Sequence, residues 1–170
     1  MASPSGHRFL PYATLVALIF FLGLAAAATA AEKEKTPRFV TLRADEVNLR
    51  TGPGERYPIT WVYHRKGLPV EVVAEFDVWR KIRDAQGTTG WVHERMLADQ
   101  RSVVVEGVVR TLRDTPSNSA PAVARAEPGV IAHLIECRPA WCRIEAQGIK
   151  GWLPRDEMWG VYPDETVPKS

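Results

Sequence analysis

Few side chains in this sequence could carry chemistry, and they are scattered. The body of the chain holds three histidines, His64, His93 and His133, and two cysteines, Cys137 and Cys142. Acid–base catalysis needs a titratable group within hydrogen-bond reach of the proton it moves, with a nucleophile or carboxylate beside it. The nearest pattern is His93-Glu94, and one His beside one Glu at a strand end is neither a metal site nor an acid–base signature. A papain-type cysteine would sit in a flanking motif that Cys142 lacks, and Cys137 is well placed to oxidise it. Zinc sites draw several ligands from C-x-x-C or paired histidines, and no such spacing occurs. The residues point to a protein that is not an enzyme and has no catalytic residue, metal or cofactor.

The segments that must position these side chains begin with a leader. His7 and Arg8 form a short basic region, Tyr12 to Ala28 is apolar and uncharged, and Ala28-Thr29-Ala30 gives the small-residue pattern cut by signal peptidase. Residues 1–31 read as a signal peptide, and the protein as periplasmic or secreted. An uncleaved membrane anchor is the alternative, because a span takes about 20 apolar residues. The charged Glu32-Lys33-Glu34-Lys35 beyond it favours cleavage, and an uncleaved segment would be the chain's only link to a membrane. In an exported chain Cys137 and Cys142 read as a local disulfide. The 22 basic and 20 acidic residues leave a formal charge of +2, or +1 without Arg8. Both signs alternate with no basic stripe, which argues against nucleic-acid binding.

The remainder is organised by an internal repeat. Gly67, Trp79, Ile82 and Met96 recur as Gly129, Trp141, Ile144 and Met158, each 62 positions on. Gln86-Gly87 and Gly90-Trp91 recur 61 on as Gln147-Gly148 and Gly151-Trp152, and Leu49-Arg50 and Pro53 recur 63 on as Leu112-Arg113 and Pro116. Small drifts around a fixed order are what loop-length changes between two related modules produce, so two units follow one another, Arg38–Leu97 and Arg101–Gly160. Each reads as all-β, with short runs rich in Val, Ile, Thr and aromatics between turn residues. In the first unit these are Phe39–Leu42, Val47–Arg50, Ile59–Tyr63, Val70–Phe76, Trp79–Arg83 and Thr89–Val92, with one helical turn expected at Glu94–Ala98. Strands this short and this many suggest a small barrel. Only Ala98-Asp99-Gln100 separates the units, so the barrels are expected to touch.

Four ordered motifs in the first unit resemble a bacterial SH3-like domain. They are Val47-Asn48-Leu49-Arg50-Thr51-Gly52-Pro53-Gly54, Lys66-Gly67, Asp77-Val78-Trp79-Arg80-Lys81-Ile82 and Gly90-Trp91-Val92. The second unit keeps Gly129, Trp141-Cys142-Arg143-Ile144 and Gly151-Trp152-Leu153, and departs at the first turn, where Asp114-Thr115-Pro116-Ser117 stands. The resemblance implies two tandem SH3-like β-barrels and non-catalytic binding at the cell envelope, to peptidoglycan or a protein segment. The alternative is a structural or scaffold subunit of an envelope complex. In such barrels the first loop borders the ligand groove.

The candidate ligand-binding residues are Arg50, Tyr57, Trp61, Tyr63 and Trp79. Gly52-Pro53-Gly54 reads as turn chemistry, with glycine supplying positive φ. Trp79 and Ile82 are three apart in one strand and take opposite faces unless a bulge intervenes. With Ile82 in the core, Trp79 is outward, as either a ligand platform or a lid over a loop. Trp91 and Trp152 read as packing residues. Trp61 and Tyr63, two apart, should share a face. With Tyr57 they form an aromatic set that the second unit replaces by Ala120 to Ala126, without an aromatic. Such a set suits a ligand groove or packing against the second unit.

Overall fold

The computed structural model describes Met1, Ala2 and residues 36–168, so residues 3–31 of the expected signal peptide lie outside the described residues. Strands β1 (Arg38–Leu42), β2 (Val47–Arg50), β3 (Ile59–Tyr63), β4 (Pro69–Phe76), β5 (Trp79–Arg83), β6 (Thr89–His93) and β7 (Leu97–Ala98) form one antiparallel sheet. A second sheet holds β8 (Ser102–Val105), β9 (Arg110–Arg113), β10 (Ala122–Ala126), β11 (Ile131–Cys137), β12 (Trp141–Ala146), β13 (Ile149–Pro154) and β14 (Met158–Trp159). The strand orders are β3-β2-β6-β5-β4-β1-β7 and β10-β9-β13-β12-β11-β8-β14, the same order with every strand advanced by seven. The repeat in the sequence is a repeat in space.

Alternation of apolar and polar residues along curled strands gives each sheet its own core. Leu42, Val47, Leu49, Val70, Val72, Ile82 and Val92 fill the first, and Val103, Leu112, Leu134, Cys142, Ile144 and Leu153 the second. Both sheets carry two matched irregularities, one between Val72 and Ala74 in β4 and between Leu134 and Glu136 in β11, the other opposite Leu49 and Arg50 in β3 and between Ala122 and Ala124 in β10. The Gly-Trp pair of each unit has a steric cause. A β-carbon on Gly90 would lie 2.5 Å from Leu49 Cγ and 2.9 Å from the Arg50 carbonyl oxygen, where β2 passes over β6. One on Gly151 would lie 2.8 Å from Leu112 Cβ. The tryptophan that follows each glycine faces away from the core, and the residue after it fills the core: Val92 and Leu153 are both fully buried. Trp91, expected to be a packing residue, is therefore only half-buried, whereas Trp152 is covered by the Arg138 guanidinium, 4.6 Å above its ring.

The helical turn expected at Glu94–Ala98 is shorter. Glu94–Met96 form a 3-10 turn, and Leu97 and Ala98 then pair with Leu42 and Thr41 of β1. That two-residue strand, and its counterpart β14, are too short to leave an alternating pattern in the sequence.

The barrels touch. Phe39 of β1 is buried between Trp159 and Tyr162, with ring centroids 4.8 and 4.7 Å away. The Ser102 hydroxyl donates to the Gly67 carbonyl at 2.7 Å, and Arg65 Nη2 donates to the Gly129 carbonyl at 2.8 Å. Beyond the second sheet the chain continues as an ordered strap. The Tyr162 hydroxyl donates to Glu71 Oε1 of the first barrel at 2.9 Å, Glu165 accepts from Arg101, and Cys137 and Val167 form an antiparallel bridge. Glu71 is buried, with Arg83 as its other partner. Burial, then the Glu71 carboxylate, push the Tyr162 phenol well above the usual tyrosine range.

Candidate functional site

The five candidate residues fall into three places. Arg50 and Tyr57 build the first loop. Arg50 leaves β2 and its Nη1 donates to the carbonyls of Glu55 and Tyr57 at 3.0 and 2.8 Å, tying the loop to its own base. Tyr57 turns back onto Gly52, where a β-carbon would come within 2.5 Å of its ring. Neither Gly52 nor Gly54 has positive φ, contrary to the reading of this turn; Gly52 is required for space under the Tyr57 ring.

Trp79 occupies the second place. Strand β5 is regular from Trp79 to Arg83, so Ile82 is in the core and Trp79 lies on the other face, its ring 5.4 Å from that of His93. Trp79 is only 9% exposed, and with Asn48, Arg50, Glu55 and Arg95 it lines a cavity of about 90 Å³. Little of its ring faces solvent, and it borders the base of the first loop across that cavity.

Trp61 and Tyr63 mark the third. They do not have equal exposure, because β3 runs from solvent into the core: Trp61 is 57% exposed and Tyr63 only 6%. The Tyr63 hydroxyl donates to Asp84 Oδ2 at 2.9 Å. Burial, then the bond to Asp84 and its charge, raise the Tyr63 phenol far above its ordinary value, so the hydroxyl keeps its proton. Asp84 Oδ1 accepts the amides of Gln86 and Thr88 at 3.1 and 2.8 Å, which shapes the turn between β5 and β6. Tyr63 thus forms the floor and Trp61 the rim of a cleft of about 540 Å³. Residues 61–65 form one wall, the 84–88 turn another, and Val104 and Gly129 of the second barrel close the end. The sequence reading set a ligand groove and packing against the second unit as alternatives for this aromatic set, and did not single out Val104 or Gly129. Across the second barrel the place of Trp61 is taken by Ala124.

Cys137 and Cys142 are disulfide-bonded and stand directly opposite one another in the β11–β12 ladder. Among the described residues no three His, Cys, Asp or Glu side chains come together as a metal site, and no helix is long and apolar enough to cross a membrane.

The bacterial SH3 domain profile matches residues 43–99 and again residues 106–160, and the chain belongs to that family. A Bacillus subtilis (strain 168) protein named "Putative N-acetylmuramoyl-L-alanine amidase YrvJ" is 28% identical over 123 residues. That match covers 66% of this chain and 24% of the relative, so the chain spans about a quarter of the length of the curated protein it matches. Two solved structures from Trichomonas vaginalis are also similar. NlpC2 covers 74% of this chain and 49% of its own, at a TM-score of 0.34 and 11% identity. NlpC1 covers 76% and 48%, at a TM-score of 0.35 and 12% identity.

Proposed function

We propose that this chain is a non-catalytic binding module of the cell envelope that takes its ligand in the cleft under Trp61. One observation carries the reading. Trp61 is a large aromatic left more than half exposed at the rim of a cleft, in a small domain whose other tryptophans are half-buried or covered. Exposed aromatic rims of this kind supply contact area at little cost in side-chain entropy. The family, and a relative named as an amidase of N-acetylmuramoyl-L-alanine, support a cell-wall setting, with peptidoglycan or an envelope protein as ligand. The disulfide fits an oxidising compartment, periplasmic or extracellular.

The joint between the barrels favours a second reading, a scaffold subunit of an envelope complex. Phe39, Trp159 and Tyr162 pack together there, and the strap crosses from one barrel to the other. Co-sedimentation with sacculi separates the two. On sacculi that keep their envelope proteins, the binding module sediments only with Trp61 in place, and the scaffold sediments whether or not Trp61 is replaced by Ala.

A further inference from the structure

Strand β3 is the last strand of the first sheet. It pairs with β2, from Val47↔Tyr63 to Arg50↔Ile59, and with no strand on its other side among the described residues. An open edge presents unpaired amides and carbonyls, and soluble proteins normally guard it with Lys, Pro, a bulge or brevity. Ile59-Thr60-Trp61-Val62 has neither Lys nor Pro, its one guard is the break in register at Thr60, and Ile59 and Trp61 are 46% and 57% exposed. The other edges are guarded. β7 is two residues long, and β10, which shares with β3 a break in register, adds Arg125 among alanines. The least guarded edge is the one whose residues 61–63 line the cleft.

The charges that follow that edge in the chain are basic, while Glu55 and Arg56 offset one another at its start. His64, Arg65 and Lys66 follow β3 and are all exposed. The one carboxylate that lines the cleft, Asp84, is buried and already accepts from Tyr63, Gln86 and Thr88. A second copy of this chain fits poorly. Antiparallel pairing of two β3 strands centred on Trp61 would set Lys66 against Arg56 in both halves of the contact.

Resting on the Trp61 cleft as the ligand site, we propose that its ligand is an extended segment of a partner protein, added to the β3 edge as a further strand. The segment alternates apolar and polar side chains, places an apolar one under Trp61, and is acidic where it passes His64-Arg65-Lys66. Main-chain hydrogen bonds to the edge give affinity and the cleft selects alternate side chains, which is the physics of strand addition.

The test selects ligands for the full chain from random linear peptides displayed on phage. Selected peptides should alternate β-branched or aromatic residues with polar ones and carry Asp or Glu at one end. Binding of such a synthetic peptide should fall about tenfold or more with Trp61→Ala, as for a central aromatic anchor. It should fall comparably when alternate amides of the peptide are N-methylated. The pair His64→Glu and Lys66→Glu, which spares the Arg65 bond to Gly129, should remove the preference for acidic ends, and bound peptide should protect β3 amides from hydrogen exchange. Selection of proline-rich or basic peptides, or equal binding of the N-methylated form, overturns strand addition. Self-association abolished by Trp61→Ala also overturns it, in favour of a second copy. If sacculus binding depends on Trp61 while no linear peptide is selected, the peptide assignment fails and the cleft reading stands. If neither sacculi nor peptides depend on Trp61, both fail.

Discussion

The first loops of the two barrels have different sequences and the same backbone. In the first, Thr51 N–H donates to the Pro58 carbonyl, Gly54 to Gly52, and Tyr57 to Gly54; in the second, Asp114 donates to Pro121, Ser117 to Thr115, and Ala120 to Ser117. Arg50 Nη1 on the Tyr57 carbonyl is repeated by Arg113 Nη1 on that of Ala120. The residues that differ do so as a set. Tyr57 needs the space that Gly52 leaves, and where Ala120 replaces the tyrosine, Thr115 can replace the glycine. The scaffold is therefore held by an arginine and main-chain bonds, which leaves the side chains of the following strand free to diverge. Trp61 on one barrel and Ala124 on the other are the result.

The largest expected effect tests the shared scaffold. Gly90→Ala forces a methyl group against buried Leu49 and the Arg50 carbonyl, and should cost about 3 kcal/mol, at the upper end for overpacking. Gly151→Ala should cost less, because its nearest backbone atom, the Arg113 carbonyl oxygen, is 3.3 Å away against 2.9 Å. Urea unfolding of the two variants measures the difference, and equal costs would argue against a tighter strand crossing in the first barrel.

Next comes the bond that only the second barrel has. Replacing Cys137 and Cys142 by Ala should cost about 2 kcal/mol, the amount expected for so short a loop. The loss should fall on the second barrel and on the Val167 bridge beside Cys137. Hydrogen exchange should show β11 and β12 opening earlier while β4 and β5 are unchanged. Uniform loosening of both barrels would mean that they unfold as one unit.

A smaller effect tests the coupled pair in the loops. Gly52→Thr should cost about 1–2 kcal/mol through its clash with Tyr57. Adding Tyr57→Ala, which recreates the pair found in the second barrel, should recover part of that, and a double-mutant cycle reads the coupling. Additive costs would show that the ring and the glycine are independent.

The smallest concerns the strap. Burial by itself would raise the Glu165 carboxyl, but hydrogen bonds from Arg101 and the Tyr162 amide, with the charges of Arg101 and Arg155, outweigh it and hold the carboxyl below its ordinary range. The stabilisation from Glu165 is then fully present above about pH 4.3, the ordinary glutamate value, and is lost as pH falls through the lower folded value. Acid titration of Tyr162 protection should show this loss, and Glu165→Gln should remove the pH dependence in that window.

Much of this architecture is legible in the sequence, because strands and turns leave local signals. Alternating Val, Ile and Leu between glycine turns marked the six longer strands of the first barrel, and the offsets of 61 to 63 marked the second. The Cys137–Cys142 pair was legible from its spacing together with the expectation of export. The strap at 161–168 left no signal, since its pairing depends on Glu71, Arg101 and Cys137, up to 91 positions away. The two-residue strands were hidden for lack of length. The candidate site was half legible. Periodicity put Trp61 and Tyr63 on one face, but a strand that enters the barrel obliquely exposes one and buries the other, and no periodic rule encodes that tilt. The parts played by Val104 and Gly129 depend on how the barrels dock, which a linear repeat does not record.

The most direct test of the central claim compares the full chain with its Trp61→Ala variant in co-sedimentation with sacculi that keep their envelope proteins and in thermal melting. Trp61 is more than half exposed, so its loss should leave stability within about 0.5 kcal/mol of the original, as for other surface positions. Binding lost with melting unchanged is the predicted result. Binding retained in the variant, or a variant that unfolds, would contradict the assignment of the cleft as the ligand site.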